Sequence, residues 1–289
     1  LSYMNKIPFF QKLVAVGAIL LSTLTITKAA DRYAVATGNW NSTTTWSDVS
    51  GGAAGAGVPV AGDNVYIEGG YSVTLNVNTA SLNLLSIASG STFITSGSYT
   101  VTATTITVDG IYRNASSGVV TGTMTVNGRY QHAFTTTAGT VPTATWAAGS
   151  ICEFTGYTTA GSSGPAIGGM GQAFSNLVWN CTNQTAQINL SAVTLSTTAG
   201  MKLSVVNSGS SNLALCQTAG NFSSIDVSGG ALYFAITTSR TVTVTGDVNI
   251  TGGNLTLASG SGTANLNVAG NLNLSAGSLV LSNSTGTGN

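Results

Sequence analysis

The sequence predicts an all-β protein that folds as a right-handed parallel β-helix. Three observations support this fold: a composition rich in Thr, Ser, Asn, Gly and Val, a repeat of about 24 residues, and short stretches in which apolar and polar residues alternate. Only 6% of the 289 residues are charged, but β-branched residues are too abundant for a disordered chain. Thr and Val favour strands, and Gly and Asn favour turns.

The N-terminal segment differs in composition from the rest of the chain. From Met4 it reads MNKIPFFQKLVAVGAILLSTLTITKAA, in which lysines precede a short apolar run and small residues follow it. This order is typical of a secretory signal peptide, and the apolar run is too short to span a membrane comfortably. We therefore expect a signal peptide helix over residues 1–29, cleaved after Ala29 or Ala30, with Leu1–Tyr3 as an upstream read-through. No membrane span is expected in the mature chain.

The segment that follows is expected to cap the β-helix. The first coil of a solenoid exposes its apolar cross-section, which must be covered. Trp40 and Trp46 precede the first regular strands, where such a cap would lie. We therefore assign residues 30–70 to an N-terminal cap. The two tryptophans are expected to pack within it, and a platform for stacking sugars is the alternative.

The clearest repeat lies near the C-terminus. TVTVTGDVNITGGNLTLASGSG (241–262) is followed 24 residues later by NLNVAGNLNLSAGSLVLSNSTG (265–286), with apolar residues and glycines in matching places. An earlier partial copy, from Ile225 to Phe234, matches at 23 residues. Three short strands between glycine corners suit one coil of a parallel β-helix, with equivalent strands about 4.8 Å apart. Parallel crossovers are overwhelmingly right-handed.

A shorter repeat occurs upstream. ITVDGIYRN, from Ile106, matches MTVNGRYQH, from Met124, at 18 residues. The coils are therefore expected to vary in size within a β-helix over residues 71–289. An antiparallel sandwich does not require a three-strand period, and a propeller blade needs four strands and about 40 residues, so both are weaker alternatives.

Several segments resemble a family of secreted proteins. ATGNWNSTTTW, GVPVAGDNVYIEGGYSVTLNVN and LNLLSI are similar to the opening module of β-helical, adhesin-like surface proteins of the Bacteroidetes and, more distantly, to the G8 module of certain extracellular proteins. TATWAAGSICEFTG, FSNLVWNCTNQT and the closing repeats resemble the interior of the same proteins. The resemblance implies export, attachment to the cell surface or release, and often a C-terminal type IX sorting domain. Because the repeat runs into Asn289, we expect the chain to be truncated at that end.

The sequence offers few residues for catalysis. Glycoside hydrolysis needs two carboxyl groups about 5–10 Å apart, and none of the eight acidic residues is adjacent to another in sequence. The best constellation combines acidic, basic and histidine side chains that the 18-residue repeat brings near one another, and it consists of Asp109, Arg113, Arg129, His132 and Glu153. The alternative is that these residues form a solvated polar face.

The three cysteines carry no metal-binding spacing. Cys152, Cys181 and Cys216 are 29 and 35 residues apart and contain no C-x-x-C, so a zinc site is not expected. A disulfide between Cys152 and Cys181 on neighbouring coils is one interpretation. The other is that the cysteines are buried as small apolar residues.

These observations predict a secreted or cell-surface structural, adhesive and non-catalytic module. Without a basic patch, nucleic acid is excluded, and no cofactor or metal is expected. The expected partners are extracellular glycans or cell surfaces, together with the secretion machinery, and the Thr/Asn/Ser-rich face would make weak contacts. The alternative is a carbohydrate-active β-helix, either a polysaccharide lyase or a glycoside hydrolase. Ice binding by threonine arrays is weaker, because TVTVT at 241–245 lies over NLNVA.

Overall fold

The computed structural model describes residues 29–159, 166–192, 195, 200–216, 219–283 and 285–289. The predicted signal peptide lies outside the described residues, except for Ala29. The described part of the chain is all-β, and its helices are two short 3-10 turns, Thr43–Thr45 and Leu190–Ala192. Among the described residues, no helix has the length and apolar character needed to cross a membrane.

The strands are short and follow one another closely. The first thirteen are β1 (Asp31–Ala34), β2 (Gly38–Asn39), β3 (Trp46–Ser47), β4 (Asn64–Ile67), β5 (Ser72–Leu75), β6 (Leu82–Ile87), β7 (Thr92–Gly97), β8 (Val101–Val108), β9 (Ile111–Ser116), β10 (Val120–Val126), β11 (Arg129–His132), β12 (Ala144–Trp146) and β13 (Ile151–Phe154). The others are β14 (Asn176–Asn180), β15 (Ile188–Asn189), β16 (Lys202–Asn207), β17 (Leu213–Ala214), β18 (Ala219–Phe222), β19 (Ser224–Val227), β20 (Ala231–Ala235), β21 (Arg240–Val244), β22 (Val248–Ile250), β23 (Asn254–Ala258), β24 (Thr263–Val268), β25 (Leu272–Leu274), β26 (Ser278–Ser282) and β27 (Thr287–Gly288).

Strands at equivalent places in successive coils pair in parallel, which confirms the predicted parallel β-helix. The longest sheet has eleven strands, in the order β2-β5-β7-β9-β11-β13-β14-β16-β19-β22-β25. A seven-stranded sheet has the order β12-β10-β8-β6-β4-β1-β3, and within it β3 runs antiparallel to β1. The other two sheets are β15-β17-β20-β23-β26 and β18-β21-β24-β27. The right-handed sense of the coil stays a prediction.

The two repeat lengths reflect two kinds of coil. In the first part of the chain β8 pairs with β10 and β9 with β11, so each coil contributes two strands. The five-stranded sheet, which begins at β15, supplies a third strand to the later coils. The 18-residue unit therefore builds a two-stranded coil, and the 24-residue unit builds a three-stranded one.

The predicted registers are observed. Met124 lies beside Ile106 and Tyr130 beside Tyr112, which is the 18-residue offset. The 23- and 24-residue offsets occur in the later ladders, with the pairs Ile225↔Val248, Leu232↔Leu255, Val242↔Leu266, Val248↔Leu272 and Leu255↔Leu279. The boundary predicted at residue 70 does not interrupt the ladders, because β4 pairs with β6 and β5 with β7 across it.

Aromatic rings fill the core of the first coils. Ring centroids 5.1–5.8 Å apart connect Trp46, Trp40, Phe93, Tyr112 and Tyr130 in succession. Farther along, the same inward positions hold aliphatic side chains, such as those of Val205, Val227 and Ile250, which are fully buried. The last rung differs, because Leu272 and Leu274 are 47% and 54% exposed.

Glycine at the corners allows the coils to approach closely. A Cβ at Gly128 would lie 2.3 Å from Asp109 O and 2.5 Å from Gly110 O, both backbone atoms of the preceding coil. Gly128→Ala is therefore expected to lower the free energy of unfolding by about 1–3 kcal/mol, measured by urea denaturation. At the exposed Gly57 the nearest atom is Arg32 Nη2 at 3.9 Å, so Gly57→Ala is the control and should be close to neutral. Equal effects of the two substitutions would contradict this account of the corner.

Candidate functional site

Two of the five candidate catalytic residues meet on the outer surface of the eleven-stranded sheet. Arg129 Nη1 donates to Glu153 Oε2 at 2.5 Å. Gln131 Nε2 donates to the same oxygen at 2.9 Å, and Asn180 Nδ2 donates to Oε1 at 3.0 Å. Burial alone would raise the pKa of Glu153, but the hydrogen bonds from Asn180, Gln131 and Arg129 together hold it below its ordinary value. Glu153 is therefore an ionised carboxylate that ties β11, β13 and β14 together.

His132 lies on the opposite side of the same strand, inside the coil. The sequence alternation along β11 places Tyr130 and His132 inward, and both are fully buried. Asn114 Nδ2 donates to Tyr130 OH at 3.1 Å, and Tyr130 OH lies 3.3 Å from His132 Nδ1. Thr95 Oγ1 donates to Asn114 Oδ1 at 2.8 Å, so a chain of hydrogen bonds crosses three rungs of the core.

The other ring nitrogen of His132 fastens a loop to this network. His132 Nε2 lies 2.8 Å from Ala138 O and 3.1 Å from Tyr157 OH, and Tyr157 OH also donates to Ala138 O. A carbonyl oxygen can only accept, so His132 is neutral with its proton on Nε2 and accepts from Tyr130 at Nδ1. Burial lowers the pKa of His132 to about 4, although the bond to Ala138 O acts in the opposite direction.

The five candidates do not converge on one site. Asp109 stands at a corner, where its Oδ1 accepts a hydrogen bond from Asn127 Nδ2 at 2.7 Å. Arg113 is exposed on β9, in register with Gln131. The structure brings Arg129 and Glu153 together and places His132 on the other side of the sheet.

Trp40 and Trp46 pack within the N-terminal end of the coil. They are 2% and 0% exposed, and Trp46 Nε1 donates to Trp40 O at 2.7 Å. Their rings meet edge to face at 75°. Neither ring is available to stack on a sugar.

The disulfide considered between Cys152 and Cys181 is not formed, and both thiols are free and buried. The residue that stacks on Cys152 in the next coil is Leu177, not Cys181. Cys181 lies four residues farther along the chain, about 13 Å away along an extended strand, whereas a disulfide needs Cα atoms within about 7 Å. Burial raises the pKa of Cys181 to about 12.

A groove of about 590 Å³ lies between the turn that follows β9 and the loop between β11 and β12. Its volume is within the range of small-molecule sites, about 300–1,000 Å³. Apolar and hydroxyl side chains line it, and none of the described residues in its lining is charged; they include Ser116, Val119, Val120, Phe134, Thr137, Thr140, Val141, Pro142 and Thr143.

A regular array of hydroxyl groups covers the outer surface of the seven-stranded sheet. Thr105 lies beside Thr123, and Thr107 lies between Ser86 and Thr125. We call this surface the hydroxyl face, and it consists of Ser86, Thr105, Thr107, Thr123, Thr125 and Thr145. Neighbouring hydroxyls are about 4.8 Å apart across strands and about 6.6 Å apart along them. Their buried neighbours Ile106 and Met124 fix the orientation of the face.

Sequence reasoning missed the hydroxyl face, although a signal was present. The 18-residue offset that aligns Ile106 with Met124 also aligns Thr105 with Thr123 and Thr107 with Thr125. Among the described residues, no hydrogen-bond partner is found for these four threonine hydroxyls. In contrast, Asn64 on the same sheet donates to Asp31 at 2.9 Å and accepts from Asn83 at 2.6 Å. The face is therefore free to bind water or a ligand.

Two tyrosines extend the hydroxyl face toward the N-terminal end. The rings of Tyr33 and Tyr66 are stacked, with centroids 4.9 Å apart and an interplanar angle of 13°. Tyr66 lies beside Ser86 in the ladder, so the tyrosines continue the row of Thr107 and Thr125. An apolar ring surface and a set of free hydroxyls thus share one flat sheet.

These features define a parallel β-solenoid with one free hydroxyl-bearing face. Residues 45–137 match the G8 domain family, and the match covers about a third of the chain. G8 domains occur in extracellular proteins. The matched segment contains most of the hydroxyl face and also His132. No curated protein and no solved structure matches the chain significantly.

Proposed function

We propose that this chain is a non-catalytic structural module of a secreted or cell-surface protein of the Bacteroidetes adhesin-like kind. It holds the hydroxyl face rigidly toward neutral extracellular glycans. The observation that carries the proposal is the array of threonines on adjacent strands, for which no partner is found among the described residues. A threonine hydroxyl both donates and accepts, as the hydroxyls of a sugar do. The match of residues 45–137 to the G8 family supports an extracellular setting.

Weak contacts suit this surface because they are repeated. A single hydrogen bond contributes only about 0.5–1.5 kcal/mol net. Several on one rigid face bind a repetitive polymer together, and the second contact follows the first at high effective concentration. The parallel ladders keep the spacing fixed, so little order has to be gained on binding.

The free hydroxyls can be tested with a paired substitution. Thr105→Val with Thr123→Val removes two hydroxyls and nearly preserves side-chain shape. Retention on insoluble neutral polysaccharides such as cellulose or chitin is expected to fall roughly tenfold, since each lost hydrogen bond contributes about 0.5–1.5 kcal/mol. Binding is measured by depletion of the protein from solution.

The control carries the same change on another sheet. Thr241 and Thr243 are on β21, where the next coil places Asn265 and Asn267 beside them instead of threonines. Thr241→Val with Thr243→Val should leave retention unchanged. Equal loss in both pairs, or no retention of the unmodified chain on any glycan, would refute the role of the hydroxyl face.

The alternative, a carbohydrate-active enzyme, requires two carboxyl groups across the scissile bond or an equivalent acid and base. Glu153 is held by three donors, and the described lining of the groove contains no carboxylate. Both observations support the non-catalytic proposal. Release of soluble reducing sugar by the unmodified chain, abolished in Glu153→Gln, would favour the enzyme instead.

Ice binding is a second candidate, which the hydroxyl face favours. A flat sheet with threonines at regular spacing in two directions could order a layer of water. The run at 241–245 does not form such a ladder, as expected, because Thr241 and Thr243 lie beside asparagines. Thermal hysteresis of the unmodified chain that is lost in the Thr105→Val, Thr123→Val pair would indicate this function.

A further inference from the structure

A buried carboxylate lies at the N-terminal end of the coil, directly before β4. Asp63 is 2% exposed. Its Oδ1 accepts a hydrogen bond from the backbone nitrogen of Ala30 at 3.1 Å, and its Oδ2 accepts one from Val60 N at 2.9 Å. The nearest cationic side chain is Arg32, whose Nε lies 3.7 Å from Oδ2.

The charges around Asp63 are not balanced. Arg32 is shared, because its Nη1 is bonded to Asp48, while its Nε is buried and has no hydrogen-bond partner among the described residues. One guanidinium thus faces two carboxylates. A buried carboxylate is costly unless a positive charge and hydrogen bonds compensate it. A second positive charge beside Oδ1 would neutralise the cluster, and the atom already there is Ala30 N.

Ala30 N is an amide in the full chain and would become an ammonium if the bond before it were cut. We propose that the leader is cleaved between Ala29 and Ala30 and that the new α-ammonium of Ala30 forms an ion pair with Asp63. This inference rests on the export that the proposed function requires. In the step, a leader peptidase adds water across the Ala29–Ala30 amide; the carboxylate leaves on Ala29 and the ammonium remains on Ala30.

The contacts of Ala30 choose between the two bonds that the sequence allows. Cleavage after Ala30 would remove the nitrogen that contacts Asp63. Cleavage after Ala29 keeps it, and Ala30 O continues to accept from Asn64 N at 2.9 Å. Charge-assisted hydrogen bonds are shorter and roughly twice as strong as neutral ones. Processing would therefore fasten β1, which carries Tyr33 beside the hydroxyl face, to the first coil.

The first test identifies the N-terminus. The full chain is exported from a Gram-negative host, and the mature protein is examined by intact mass and N-terminal sequencing. Ala30 is the expected first residue. Asp31 or another first residue overturns this inference but leaves export standing. A chain that keeps its leader overturns both export and this inference, whereas loss of glycan retention bears only on the hydroxyl face.

The second test measures the ion pair. Mature chains that begin at Ala30 are prepared with a free or an acetylated N-terminus. Acetylation is expected to lower the melting temperature by roughly 5 °C, and this difference should vanish in Asp63→Asn. Asp31→Asn, an exposed carboxylate in the same strand, is the matched control and should keep the difference. The same loss in Asp63→Asn as in the unmodified chain would refute the pair.

A measurement without substitution covers the case in which Asp63→Asn does not fold. An α-amino group has an ordinary pKa of about 8, which pairing with a carboxylate raises. The advantage of the free chain over the acetylated chain should therefore be full below pH 8 and disappear as the pH rises toward 10. A difference between the two chains that does not change with pH, or no difference at all, overturns the inference.

Discussion

Trp46→Ala is expected to lower the free energy of unfolding by about 3–5 kcal/mol, the largest effect of any single substitution considered for this protein. Trp46 is fully buried on β3, its Nε1 donates to Trp40 O at 2.7 Å, and its ring meets that of Trp40 at 5.1 Å. Its removal leaves a cavity and an unsatisfied carbonyl at the N-terminal end of the coil. Urea denaturation followed by tryptophan fluorescence and circular dichroism would measure the loss.

The loss should begin at the N-terminal end and extend inward. In a solenoid each coil is stabilised by its neighbours, so an uncovered first coil frays before the rest. Hydrogen exchange should therefore accelerate most in β1, β2 and β4. Val49, 64% exposed in the same part of the chain, supplies the control, and Val49→Ala should change stability by less than about 0.5 kcal/mol. A loss below about 1 kcal/mol for Trp46→Ala would show that the ring does not serve as a cap.

Stability is also expected to fall by about 3 kcal/mol between pH 6.5 and pH 4 because of His132. Burial lowers its pKa in the folded chain to about 4, whereas the unfolded chain takes up the proton near pH 6.5. In that interval the unfolded state binds more protons, so acid favours unfolding. The contribution of neutral His132 is complete above pH 6.5, decreases as the pH falls, and levels off below pH 4.

The measurement is the urea midpoint at several pH values. His132 is the only histidine in the sequence, so no other imidazole contributes to the slope. His132→Gln removes the titrating group and should flatten the dependence between pH 6.5 and pH 5. Glu153 serves as a second reporter, because its lowered pKa makes its contribution disappear only in stronger acid. An unchanged slope in His132→Gln would place the acid sensitivity elsewhere.

Much of the fold could be predicted because repetition makes non-local pairing visible in the sequence. Each strand pairs with its own equivalent one coil later, so the offset between Ile106 and Met124, or between Val242 and Leu266, is itself the register. The alternation that places Tyr130 inward also places His132 inward, two residues later, and this pattern is enough to assign His132 to the core. The hydroxyl face follows from the same offset.

Irregular segments left no such signal. The loop that brings Ala138 O onto His132 belongs to no repeat, and neither does the contact between Ala30 and Asp63. The disulfide considered between Cys152 and Cys181 failed for a related reason. Spacing along the chain shows that two coils are adjacent, but the irregular loop between β13 and β14 sets which residues lie opposite each other, and it placed Leu177 on Cys152.

The sequence by itself determined a parallel β-helix with apolar ladders inside and threonine, serine and asparagine outside, because stacking requires apolar residues and corner glycines at fixed intervals. Only the tertiary structure decided that the early coils have two strands, that Arg129 and Glu153 are separated from His132 by the sheet, and that the threonine hydroxyls at 105 and 123 stand free. These outcomes depend on which segments meet outside the repeat, where chain entropy and side-chain packing, and not periodicity, select the contact.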